Sequence, residues 1–282
     1  MTGQLTDAAP RRSVGPRIMP PGIGRRLRGT GGARYLIERN VRVYRNGWAV
    51  LISGIFEPIF YLFSVGVGVS HLVGDVELSS GAVVTYTAFV APAMLASSAM
   101  NGAMYDATFN LFFKLKYNKL YDAVLSTPMT PVDVAVGEIG WALSRASFYA
   151  AVFLLVMLVM GLVGSWWALL ALPAVVLIGF SFAAVGTACT TYMKSWQDFE
   201  YVTLVTLPMF LFSATFYPLS TYPEGLQWVV RLSPLYHAAA LMRELVTGYV
   251  GWGSIVHVLV LGALGVVGLL VTGRRLEKLL LT

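Results

Sequence analysis

The chain has 282 residues, of which 57% are hydrophobic and 12% charged, and its mean hydropathy is +0.70. Soluble domains carry about 25% charged residues, so this composition excludes an ordinary soluble domain and indicates a membrane protein. The net charge of +6 does not point to nucleic acid, because ten arginines lie before residue 46, where basic residues flanking an apolar run set topology. The single cysteine, Cys189, lies inside an apolar run and leaves no intramolecular disulfide.

Residues 1–32 are rich in Arg, Gly and Pro and read as a disordered cytoplasmic tail ahead of one membrane domain, 33–282. From Ala33 to Arg45, Ile37, Val41, Tyr44 and Trp48 share one helical face, while Arg34, Glu38, Arg39, Arg42 and Arg45 cover much of the rest. That pattern predicts an interfacial helix on the inner leaflet, with Arg34, Arg39 and Arg42 toward headgroups. The first apolar run begins near Trp48, too late and too long for a cleaved signal sequence. Six runs come near the roughly 20 residues that cross a bilayer. They are expected at Trp48–Ser70, Val83–Met104, Val134–Val163, Trp166–Tyr192, Tyr201–Leu219 and Ile255–Thr272. Lysine and arginine concentrate before the first run, after the second, at Lys194 and at Arg274, Arg275 and Lys278. This bias puts both termini in the cytoplasm.

Between the second and third runs lies a polar stretch, Tyr105 to Leu125. Asn110, Lys114, Asn118 and Asp122 are spaced four apart and form one polar stripe, while Phe109, Phe113, Tyr117, Leu120 and Val124 form a separate apolar stripe. Ser126-Thr127-Pro128 ends the helix. An amphipathic helix with lysines in this position belongs at the cytoplasmic surface, where it can meet a soluble partner.

At membrane depth, Glu57 stands beside Pro58 in the first span and Arg145 lies in the third, two turns after Glu138. Three uses are open: a buried Glu57–Arg145 pair, a polar patch on a substrate path, or side chains reaching the interface. Residues 220–254 hold Tyr222-Pro223 through Leu232, then Ser233-Pro234-Leu235-Tyr236-His237 and an apolar-rich helix with Arg243 and Glu244. Two short amphipathic helices split at Ser-Pro fit this stretch as a re-entrant hairpin in the outer interface, which backbone tolerates where protein or water satisfies it. Tyr44 and Trp48 fit an aromatic belt at one membrane face, and Trp166, Trp167, Tyr217 and Tyr222 at the other. Gly161, Gly164, Gly262, Gly265 and Gly268 permit close helix packing.

The sequence has no Gly-x-x-x-x-Gly-Lys-Ser/Thr phosphate loop and no Gly-x-Ser-x-Gly nucleophile elbow. His71, His237 and His257 are scattered and read as polar interfacial residues, without metal-ligand spacing.

Four stretches carry a resemblance: Tyr121-Asp122-Ala123-Val124-Leu125-Ser126-Thr127-Pro128, Val136-Gly137-Glu138-Ile139-Gly140-Trp141-Ala142, Phe216-Tyr217-Pro218-Leu219, and Leu232-Ser233-Pro234-Leu235-Tyr236-His237. In order and spacing the chain resembles the ABC-2 type transporter permeases, nearest to the nodulation-type lipo-oligosaccharide and daunorubicin-resistance export permeases. The resemblance implies an all-α integral membrane fold with six transmembrane helices, an N-terminal interfacial helix, a cytoplasmic coupling helix after span 2 and a re-entrant hairpin before span 6. It implies a non-enzymatic half-transporter of a bacterial inner membrane that pairs with a second copy and binds two ATPase subunits. ATP and Mg would sit on those subunits, with no cofactor or metal on this chain. Phe113, Lys114, Lys116, Tyr117, Lys119, Leu120, Tyr121 and Asp122 would contact the ATPase. Glu57 and Arg145 are candidates for the path, and Trp228, Arg231, Pro234, His237 and Arg243 for the outer hairpin. The cargo would be amphipathic or lipid-linked, of oligosaccharide or glycolipid type. A multidrug efflux permease and, from another class, a membrane lipid-modifying enzyme are the competing readings.

Overall fold

The computed structural model describes residues 31–46, 56, 59–78, 81–117, 129 and 131–281. Its first helix, α1 (Gly31–Asn46), lies against α4 (Pro131–Val159). Ala33, Leu36 and Asn40 are its buried positions, with Leu36 against Gly137 and Ile37 against Gly140. The expected apolar face is only partly the packed one, since Val41 is exposed. Two glycines on α4 admit Leu36 and Ile37, and their placement along α4 rotates the buried stripe toward Asn40. Arg34, Arg39 and Arg42 are exposed, as a headgroup-facing side requires, and Arg34 pairs with Glu38 one turn on.

A short apolar helix, α2 (Ile59–Val73), is followed by a hairpin of β1 (Asp75–Glu77) and β2 (Val83–Thr85), antiparallel with Val76 opposite Val84. The fold is therefore not wholly α-helical. Gly74 and Gly81, both at positive φ, break the helix and form the turn, and the β-branched Val83-Val84-Thr85 run suits a strand. Thr85 then caps α3 (Tyr86–Tyr105) through a hydrogen bond to the Ala88 amide. Most of α3 is buried, which makes it the central post of the molecule. Around it pack α4, α5 (Ala171–Thr190) and α8 (Pro234–Thr247), and α9 (Trp252–Leu281) lies along α5.

Among the described residues, three helical segments are long and apolar enough to cross a bilayer: Asp133–Val159, Trp166–Thr190 and Trp252–Arg275. They overlap expected spans 3, 4 and 6; the last runs three residues past each end of span 6, and span 3 stops at Val159, where a turn containing Gly161 at φ 71° follows. Expected span 5 is cut short. Its helix, α6 (Phe199–Leu211), ends at Phe212, and residues 212–218 run irregularly through Ala214 at φ 53°. Two helices meet at Ser233-Pro234 as expected: α7 (Glu224–Leu232) and α8.

In a bilayer, apolar burial does little to bring helices together, so contact distance matters. A Cβ on Gly268 would lie 2.8 Å from the Ala184 and Val185 backbone, whereas Gly262 has nothing within 4 Å. Gly268→Val should therefore push α9 off α5 and cost about 1–3 kcal/mol, as overpacking does. A lowered Tm in detergent for Gly268→Val, with Gly262→Val unchanged, is the expected result.

Candidate functional site

The helix of α3 does not stop at Tyr105. It continues through two π-helical turns, Asp106–Asn110 and Phe113–Tyr117. Four residues overshoot one α turn and fall short of one π turn. Alternating the two keeps Asp106, Asn110 and Lys114 in one line.

That line faces inward. Arg145 of α4 places Nη2 2.7 Å from Asp106 Oδ1, and both side chains are over nine-tenths buried. Asn110 donates to the same oxygen at 2.5 Å. Two turns along α4 from Arg145, Glu138 meets Lys114 at 2.6 Å, and Lys114 also donates to Asn40 of α1 at 3.4 Å. Two ion pairs and two amides thus form a ladder joining α1, the α3 extension and α4. The neighbouring helix α5 closes on the same extension, where the Thr190 hydroxyl donates to the Ala107 carbonyl at 2.8 Å.

The apolar stripe is occupied as well. Phe109 and Phe113 pack their rings 5.1 and 5.3 Å from Trp196, and Phe109 lies 5.2 Å from Phe199. Trp196 is held by a capping box in which Asp198 accepts from the Lys194 and Ser195 amides at 2.6 and 3.1 Å. Those amides hold the Asp198 carboxyl below the usual carboxylate range. The extension is gripped on both faces, by charge on one and by aromatic rings on the other. These contacts tie the extension to α4, α5 and α6 together.

Arg145 is paired with Asp106, while Glu57, one possible partner of Arg145, lies outside the described residues. Lys114 turns inward, only 17% exposed, and Phe113 joins the aromatic cluster. Only the backbone of Lys116 and Tyr117 is described, and Lys119, Leu120, Tyr121 and Asp122 lie outside the described residues. Sequence reasoning missed Asp106, although it continues the four-residue spacing of Asn110 and Lys114 one step back.

At the opposite end, Arg243 is buried and bridges two elements. Its Nε donates to the Phe89 carbonyl at 3.0 Å and Nη2 to the Ala214 carbonyl at 2.7 Å, with the guanidinium 3.9 Å above the Phe89 ring. It pins the irregular 212–218 segment to the top of α3. Pro234 opens α8. Trp228 is exposed on α7 under the Arg231 guanidinium. His237 and His257 are not scattered: their Nδ1 atoms lie 2.7 Å apart, and Glu244 stands 3.7 Å from His257 Nε2. The i, i+20 spacing carries no periodic signal, so only the fold joins them. Tyr222, expected in an aromatic belt, is buried, while Trp166 is almost wholly exposed.

A family model described as ABC-2 type transporter matches residues 33–247. The chain is 32% identical over 256 residues to Nodulation protein J of Rhizobium leguminosarum bv. viciae, covering 89% of this chain and 96% of that protein. It is 32% identical to Nodulation protein J of Rhizobium meliloti (strain 1021), over 77% of this chain and 80% of the relative. Against that of Rhizobium leguminosarum bv. trifolii it is 34% identical, over 71% and 75% respectively.

Proposed function

The chain belongs to the ABC-2 type transporter family, and on that premise we propose that it is the membrane-spanning subunit of an ATP-driven exporter of an amphipathic or lipid-linked, oligosaccharide-type cargo. The observation that carries the coupling part of this reading is the two-sided grip on the α3 extension. A soluble ATPase that moves the segment 113–122 would tilt α4 and α6 through the ion-pair ladder and the aromatic cluster. ATP and Mg belong to that partner, of which two copies serve two copies of this chain. Six spans in a bacterial cytoplasmic membrane, both termini inside, complete the topology. Residues 33–282 form the membrane domain, 1–32 a cytoplasmic tail, and α7 and α8 a re-entrant hairpin at the outer face.

An amphipathic cargo is supported by an apolar cavity of about 910 Å³ between α5, α6 and α9. Phe182, Val202, Val205 and Leu264 line its shaft, and Lys194 and Ser195 stand at one end. That gradient suits a lipid chain with a polar head.

Purification of the tagged chain from its host should bring down a stoichiometric ATPase. Leu120→Asp or Tyr121→Asp should abolish that association while leaving membrane insertion intact. If either variant still assembles and exports normally, the coupling assignment fails.

A further inference from the structure

The contact between His237 on α8 and His257 on α9 is a tie between these helices that a proton can undo. A hydrogen bond between two imidazole nitrogens requires one N–H and one bare lone pair. With Nδ1 atoms 2.7 Å apart, the pair closes when a single hydrogen lies between the rings. A second proton would set N–H against N–H and cation against cation at the same distance. The contact then opens.

The surroundings favour a closed pair at neutral pH. Tyr236 packs edge-on against both rings, at 5.5 and 6.0 Å. The Arg231 backbone of α7 acts the other way and favours a proton on His237. Glu244, on α8, accepts from the Ser254 hydroxyl and faces His257 Nε2, so it stabilises one positive charge on the pair without accommodating two. Beside His257 lies a cavity of about 160 Å³ that Tyr236, Arg243 and Glu244 also line, with the Arg243 guanidinium committed to the Phe89 and Ala214 carbonyls. Glu77 of β1 and Tyr249 complete the ionisable groups around it. The other elements packed on α8, namely α3, α5 and the Trp166–Leu170 turn, contain no Asp, Glu, Lys, Arg or His. On α9 itself the next such group after His257 is Arg274, at the far end.

We propose that His237 and His257 form a proton-operated latch that fastens α8 to α9 and releases it when both rings are protonated. Release frees the hairpin of α7 and α8 from the last span and opens the cavity beside His257. This reading goes beyond export and does not depend on it. It has a sign: burial and the neighbouring His257 hold the His237 ring below the usual histidine range. Stability from the closed latch is therefore complete above the ordinary histidine pKa of about 6.5 and is lost as pH falls below it.

The test is amide hydrogen exchange by mass spectrometry on the full chain in detergent, from pH 7.5 to 5, normalised to the intrinsic chemical rate at each pH. Peptides from 234–247 should lose protection by about tenfold per unit of histidine pKa difference, while those from α4 stay flat. His257→Gln should remove the step, and His71→Gln, at an exposed position outside the cluster, should keep it. Histidine C2–H exchange on the wild-type chain gives a second readout that needs no variant. Two rings titrating as a coupled pair separated by about one unit or more support the latch, and two independent unperturbed titrations overturn it. It is equally overturned by a pH-flat wild type, or by a step that survives His257→Gln and disappears in Glu244→Gln.

Discussion

Arg145→Ala is expected to lower stability by about 3–5 kcal/mol, because it leaves the Asp106 carboxylate buried without its cation. The measurement is the Tm in detergent, with yield of folded protein as a second readout. The double replacement Asp106→Leu with Arg145→Met should recover most of that loss, since removing both charges removes both desolvation penalties. Its export should stay low. The ladder would then be required for the stroke to reach α4, over and above holding the fold. If the double variant exports normally, the ion pair serves the fold alone. Lys114→Met should cost less than Arg145→Ala, because the Lys114–Glu138 pair is less deeply buried than Arg145–Asp106.

Arg243→Lys, although it keeps the charge, is expected to cost about 1.5–3 kcal/mol, the range for hydrogen bonds to a charged donor. The guanidinium reaches the Phe89 and Ala214 carbonyls at once because its donors diverge in a fixed plane, and an ammonium presents no such fork. Ala214 sits at φ 53°, a strained conformation for a residue with a Cβ, and this hydrogen bond is part of what holds it there. Loss of the anchor should loosen residues 212–218, seen as faster amide exchange in that segment. Arg231→Lys, exposed on α7, should stay within about 0.5 kcal/mol. Equal effects at the two positions would sink the anchoring role.

Where helices lie was legible wherever apolar runs are long. The segments at 133–159, 166–190 and 252–275 follow from hydropathy, and the Ser233-Pro234 break follows from the steric demand of proline. The β-hairpin was missed because three-residue strands give too little alternation to read. Span 5 was overextended because Phe212 to Leu219 is apolar enough to read as span. The helix ends at Leu211, and Arg243 holds the irregular path that follows through the Ala214 carbonyl.

The polar stripe gives the clearest division. Its existence, with Asn110 and Lys114 four apart, was written in the chain; its direction was not. Amphipathic spacing defines faces of a helix, and in a soluble setting the polar face meets water. Here the continuous helix carries that face toward α4, where Arg145 and Glu138 wait at a separation of two turns. Composition and charge bias determined the membrane class and the helices. Only the tertiary structure decided which charges meet, Arg145 with Asp106 and His237 with His257, because pairing depends on the rotation of packed helices and no local pattern encodes it.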